Sequence, residues 1–163
     1  MAWEVLLIES DNSPSAEDYE AVADSGLQRI GATGSIASGD AHTRDGFYLN
    51  FDTHGGQGGM FRLREFSPGI AEAIFVIAED TQSFIVNTTG GAIYRTPGNT
   101  DIATGEEFNA TAVASPAELE RLLQAGYESA SAYSQQVQQI PSGEPDPPSP
   151  LRRLFGVLFG KAP

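Results

Sequence analysis

The sequence contains no cysteine. Disulfides, thiolate catalysis and cysteine-ligated zinc are therefore excluded outright. Lysine is nearly absent as well: of nine cationic side chains, eight are arginine and the ninth is Lys161. Histidine is limited to His42 and His54. No apolar run approaches the ~18 residues that a membrane-spanning helix needs. The opening stretch from Met1 to Glu9 is apolar in its middle but has no basic segment ahead of it and no room for a cleavage site behind it. It reads as a strand, and the expected compartment is the cytoplasm.

What is abundant is acid. Twenty-two Asp and Glu stand against nine Lys and Arg, a net charge of −13. Three of the cations, Arg152, Arg153 and Lys161, lie in the last thirteen residues, which hold no acid, so residues 1–150 carry −16. A body of that charge repels phosphate backbones, which disfavours nucleic acid as a partner. It attracts a protein with a basic surface. The plainer role of such charge is solubility.

The length of 163 residues suits one ordinary domain with a real core, and 18 Gly with 10 Pro imply much loop. Val5, Leu6, Leu7 and Ile8 form a nearly unbroken apolar run, the mark of a buried strand. Ser13-Pro14 starts a helix, with Ser15 as a second capping choice. Tyr19, Val22, Ala23, Leu27 and Ile30 share one side of it, and Glu17, Asp18, Glu20 and Asp24 the other. Residues 31–45 show no period. Residues 46–52 and 60–66 alternate as strands, joined by a glycine-rich hairpin loop from Thr53 to Gly59.

Ser67-Pro68 repeats the cap-plus-proline start, and residues 70–78 (IAEAIFVIA) are apolar on nearly every face, so this helix should be central and buried. Residues 83–87 and 92–95 form a second hairpin. Residues 96–108 read as loop, and 109–114 as an edge strand. Ser115-Pro116-Ala117-Glu118 is a capping box, after which Leu119, Leu122, Leu123, Tyr127, Ala130, Tyr133 and Val137 keep helical spacing. Five prolines in residues 141–150 imply an extended linker. The expected architecture is α+β: a mainly antiparallel sheet of five to six strands packed against about three helices. Residues 1–140 form the domain, 141–150 the proline-rich linker and 151–163 a short amphipathic basic tail.

Chemistry has few places to sit. Each histidine belongs to an Asp-x-His triplet, Asp40-Ala41-His42 and Asp52-Thr53-His54. Residues two apart on a strand point the same way, so Asp52 and His54 are the candidate catalytic pair. Asp40 and His42 could fold over to complete a metal site with them, with Asp45 and Glu65 as further oxygen donors. The spacing fits no metalloprotease or zinc-finger pattern, and the plainer reading is two solvated loop histidines. Gly55 to Gly59 lacks the Gly-Lys-Ser/Thr of a phosphate loop. The triplet Gly55-Gly56-Gln57 resembles the catalytic tripeptide of peptide-chain release factors over those three residues alone. Release factors must approach RNA with a basic surface, which this acidic chain lacks.

On a helix, Leu151, Leu154, Phe155, Leu158 and Phe159 make an apolar stripe flanked by Arg152, Arg153 and Lys161. Such a segment docks back on its own domain, enters a partner's groove or lies on an anionic membrane, the last only through residues 151–160. The expected function is that of a non-catalytic acidic binding module with no cofactor. It resembles bacterial immunity proteins and antitoxins in composition, and that resemblance implies an inhibitor of a basic protein. Its expected partner-facing residues are Glu17, Asp18, Glu20, Asp24, Asp40 and Asp45 on the domain, with Leu154, Phe155 and Leu158 on the tail. The alternatives are a small hydrolase or metal-binding domain using Asp52 and His54, and an adaptor tethered by its tail.

Overall fold

The computed structural model describes residues 3–53 and 58–138. Ten elements follow along the chain: β1 (Trp3–Ile8), α1 (Ala16–Arg29), β2 (Phe51–Thr53), β3 (Gly59–Leu63), α2 (Pro68–Asp80), β4 (Phe84–Asn87), β5 (Ala92–Arg95), α3 (Ile102–Glu107), β6 (Thr111–Ala112) and α4 (Pro116–Gln138). The strands form one sheet in the order β2-β3-β1-β4-β5-β6. Every pairing is antiparallel except β5 with β6, which is parallel. Among the described residues the fold is α+β with an antiparallel-dominant sheet and four helices.

Strand alternation sets the two faces of the sheet. Trp3, Val5 and Leu7 of β1, Phe61 and Leu63 of β3, Ile85 of β4 and Tyr94 of β5 are buried in one core with residues of α1, α2 and α4. In that helical layer α2 packs against both α1 and α4. It is the most buried helix, with Ile70, Ile74 and Ile77 at 2 % exposure or less. Its start matches the sequence: Pro68 occupies the first turn and the Ser67 hydroxyl accepts the Ile70 N–H at 3.1 Å. The α4 start also matches. Glu118 N–H meets the Ser115 hydroxyl at 3.3 Å, and the Glu118 carboxylate accepts the Ala114 N–H at 2.8 Å.

Four local expectations need correcting. The run in β1 is not buried on both faces: Leu6 and Ile8 are only half-buried. Ser15 holds the N-cap position of α1 but makes no side-chain capping bond, and Ser13 is engaged elsewhere, accepting the Ser10 N–H and lying 3.3 Å from the Gln82 carbonyl. Residues 47–49 do not join the sheet, and Asn50 meets it only through its carbonyl, which accepts the Arg62 N–H at 2.9 Å. The 43–47 turn and the Leu49 N–H to Ala41 carbonyl bond fold them back on residues 41–43 instead. Residues 96–108 contain helix α3, whose N-cap Asp101 accepts the Thr104 N–H at 3.1 Å. The linker at 141–150 and the tail at 151–163 lie outside the described residues.

At Gly58 the close approach of β3 to β1 requires glycine. Its φ is +90°, and a Cβ there would collide with the Leu7 carbonyl. No helix among the described residues is long and apolar enough to cross a membrane.

Candidate functional site

The sequence singled out six positions on two histidine triplets and their neighbours. His54 lies outside the described residues. Asp52 sits on β2 next to β3, and its Oδ2 receives Arg62 Nη1 at 2.9 Å. Asp40 and His42 meet through the backbone rather than through their side chains. The His42 Nδ1 lies 2.8 Å from the Asp40 carbonyl, while the Asp40 carboxylate accepts the Ser35 N–H at 2.9 Å. The His42 ring tilts against Tyr48 at 5.5 Å. Among the described residues, no three His, Asp or Glu side chains converge in a way that could hold a metal ion.

Asp45 has a different task. It reaches the start of α2, accepts the Gly69 N–H at 3.2 Å and pairs with the Thr43 hydroxyl. Burial pushes its carboxyl upward, but hydrogen bonds from Thr43, Ser67 and Gly69 outweigh that and leave it below the usual range. A carboxylate at a helix N-terminus is also favoured by the orphan N–H groups there.

The acids of α1 divide in two. Glu17 and Asp18 are exposed, and Asp18 Oδ2 receives only the neighbouring Ser15 hydroxyl at 3.0 Å. Glu20 and Asp24 are half-buried and hold loops. Glu20 accepts the Thr53 hydroxyl at 2.7 Å, and Asp24 accepts the Ile36 N–H at 2.6 Å. Asp40 likewise remains exposed while it closes its own turn. Leu154, Phe155 and Leu158 lie outside the described residues.

Residues 1–138 contain twenty acids and six arginines. Three of those arginines are already matched: Arg29 to Asp80, Arg44 to Glu72, and Arg62 to Asp52 and Glu4. The remaining acids are not all on the surface, since Asp101 is buried, but Glu17 and Asp18 at the start of α1 are exposed.

Two features were not legible from spacing. A hydroxyl cluster lies under the turn after α2. The Tyr19 hydroxyl lies 2.8 Å from Ser83, Thr81 lies 2.8 Å from Ser83, and the Thr81 hydroxyl also donates to the Ile77 carbonyl at 2.6 Å. Burial raises the Tyr19 phenol above its ordinary value, the two hydroxyl bonds pull it back, and Glu9 nearby adds to the rise. The Glu9 carboxyl is raised by burial, against the pull of the Gly58 N–H. Among the described residues, no histidine or carboxylate hydrogen-bonds these hydroxyls. The second feature is a cleft of about 620 Å³ between residues 47–50 and 62–65, floored by Leu63 and Ile70 and flanked by Tyr48, Arg64 and Glu65. Its rim carries both signs of charge, and it contains none of the α1 acids.

No protein-family model, curated protein or solved structure matches this chain.

Proposed function

We propose that this protein is a non-catalytic acidic binding module that docks a protein with a basic surface, acting as an inhibitor or neutralising partner. The observation that carries this reading is the unmatched acid on the domain: twenty acids against six arginines, with half of the arginines already held in internal ion pairs. A field of one sign raises the encounter rate with an oppositely charged protein and suppresses encounters with nucleic acid. Glu17 and Asp18 are the docking residues with most freedom to act, because among the described residues neither carboxylate is tied to a cation. Glu20 and Asp24 support the same surface from below while their oxygens hold loops.

The test is affinity capture from the source cells at low ionic strength, with the wild-type chain beside Glu17→Lys/Asp18→Lys. The expected result is a basic protein retained by the wild type and lost by the variant. Retention of the same proteins by both chains, or of proteins that are not basic, contradicts the proposal.

A further inference from the structure

The cleft between residues 47–50 and 62–65 has a cause in the strand pairing. Strand β2 pairs with β3 at Thr53 with Gly59, Asp52 with Met60 and Phe51 with Phe61. One residue further on, the Asn50 carbonyl accepts the Arg62 N–H at 2.9 Å, and the return bond from the Asn50 N–H to the Arg62 carbonyl is not made. From there the chain turns away. The Leu49 N–H goes to the Ala41 carbonyl and the Phe47 carbonyl accepts the Thr43 N–H, both at 2.9 Å. On the other edge of β3, pairing with β1 continues to Trp3 opposite Leu63. Among the described residues the end of β3 is thus paired on one edge alone. A cleft of about 620 Å³ opens on the other. That volume lies in the range of small-molecule sites.

The lining divides by chemistry. Leu63 and Ile70, each 2 % exposed, form an apolar floor. Phe47 and Tyr48 bring two aromatic rings to one wall, the first half-buried and the second 51 % exposed. Tyr48 is fixed in place. Its hydroxyl donates to the Gly39 carbonyl at 3.0 Å, and its ring lies 5.5 Å from that of His42. The half-buried Asn50 amide adds a hydrogen-bonding group. The β3 side brings two guanidinium groups. Arg62 is matched by Asp52 and Glu4. Arg64 joins none of the ion pairs among the described residues, although residues 1–138 hold twenty acids against six arginines.

We propose that this cleft binds a small carboxylic acid with a flat apolar body. The body lies on Leu63 and Ile70 beside the Phe47 and Tyr48 rings, and the carboxylate takes the Arg64 guanidinium. A guanidinium offers a carboxylate two parallel N–H groups. Aromatic walls recognise a flat body by area and by offset or edge contacts. Charge narrows the class further. Glu65 stands on the rim beside Arg64, so the cleft has room for a single negative charge. A phosphate dianion meets like charge from Glu65 and from the acid-rich domain. A cation of the same shape meets Arg64 over the same floor. The site contains neither Glu17 nor Asp18, so this inference does not rest on the docking of a basic protein.

The test is an amide NMR titration of the 15N-labelled full-length protein with 2-naphthoate. The neutral 2-naphthalenemethanol and the cationic 2-naphthylmethylamine carry the same ring and serve as comparisons. The expected result is that naphthoate moves the amides of residues 47–50, 62–65 and 70, with a dissociation constant of roughly 1 mM or tighter. The alcohol should bind about fivefold or more weakly, and the amine more weakly still. Arg64→Gln should weaken naphthoate by about fivefold or more and leave the alcohol unchanged. Arg64 is exposed, so the variant should fold, and its ligand-free spectrum reports that directly. Tyr48→Ala should weaken the acid and the alcohol alike. Amides of the cleft that stay unmoved at about 5 mM naphthoate, several times the expected constant, overturn the proposal. Alcohol or amine binding as tightly as the acid also overturns it, as does naphthoate binding that Arg64→Gln leaves unchanged.

Discussion

Arg62 of β3 reaches diagonally to Asp52 of β2, with Nη1 2.9 Å from Oδ2, while its Nε stands 3.8 Å from Glu4 of β1. The residue that the sequence offered as a metal ligand or general base is thus part of a three-residue ion cluster. Both members of the closer pair are near half exposed, at 44 % and 46 %. Exposed pairs contribute about 0–1 kcal/mol. Asp52→Asn should therefore lower stability by less than about 1 kcal/mol in urea titrations. It should leave capture of a basic partner intact. Loss of a bound metal or of an enzymatic activity in this variant would restore the catalytic reading.

Ile74 lies at the centre of α2 and is fully buried among residues of the sheet and both flanking helices. Removing its outer atoms leaves a cavity that close-packed neighbours fill poorly. Ile74→Ala should cost about 2–5 kcal/mol, read from the shift of the urea midpoint at constant slope.

Gly126 is the glycine that lets α4 approach the sheet. A Cβ there would run into the Asn87 amide. Asn87 is 4 % exposed, and its Oδ1 accepts both Trp3 Nε1 at 3.3 Å and the Thr89 N–H at 3.1 Å. Helix propensity alone would make Gly126→Ala stabilising by ~1 kcal/mol. The collision should reverse that sign, with a loss of about 1–3 kcal/mol, as overpacking does. A stabilised variant in thermal melts would show that α4 sits farther from β4 than described.

Asp45 links the 43–47 turn to the start of α2, and its carboxyl is lowered from 3.8. A carboxyl lowered on folding adds stability above its unfolded value and loses it as pH falls through the folded one. Asp45→Asn should therefore be less stable than wild type at pH 7. The gap between the two should close as pH is taken well below 3.8. Urea titrations of both chains at neutral and acidic pH check this. A gap that stays constant with pH would assign the loss to packing rather than to charge.

The buried helix was readable because IAEAIFVIA has no polar face to expose, and Ser67-Pro68 marks its start chemically. The hairpins were readable from alternation and glycine. Helix α3 was not, because its six residues (IATGEE) contain a glycine and too few apolar positions for a period. Its single signal was Asp101 placed three residues before Thr104. Residues 47–49 alternate like a strand and bury Leu49, yet they pair with residues 41–43, a choice fixed by the 43–47 turn rather than by pattern. Among the candidate residues, sequence placed Glu17 and Asp18 on an outer helix face, where they are. It could not foresee that Glu20 and Asp24, on the same stripe, would be drawn to Thr53 and Ile36, because those partners are distant in the chain.

The central claim is that the acid of the domain recruits a basic protein. Its most direct test is the association rate with the captured partner, followed by stopped flow as ionic strength rises. Screening shortens the reach of exposed charges from about 30 Å at 0.01 M to about 8 Å at 0.15 M. The expected result is a fall in association rate of roughly tenfold or more over that range, with dissociation nearly unchanged. Glu17→Lys/Asp18→Lys should slow association further and flatten the salt dependence. A rate that is level across the same range in the wild type would contradict the claim and leave the charge serving solubility alone.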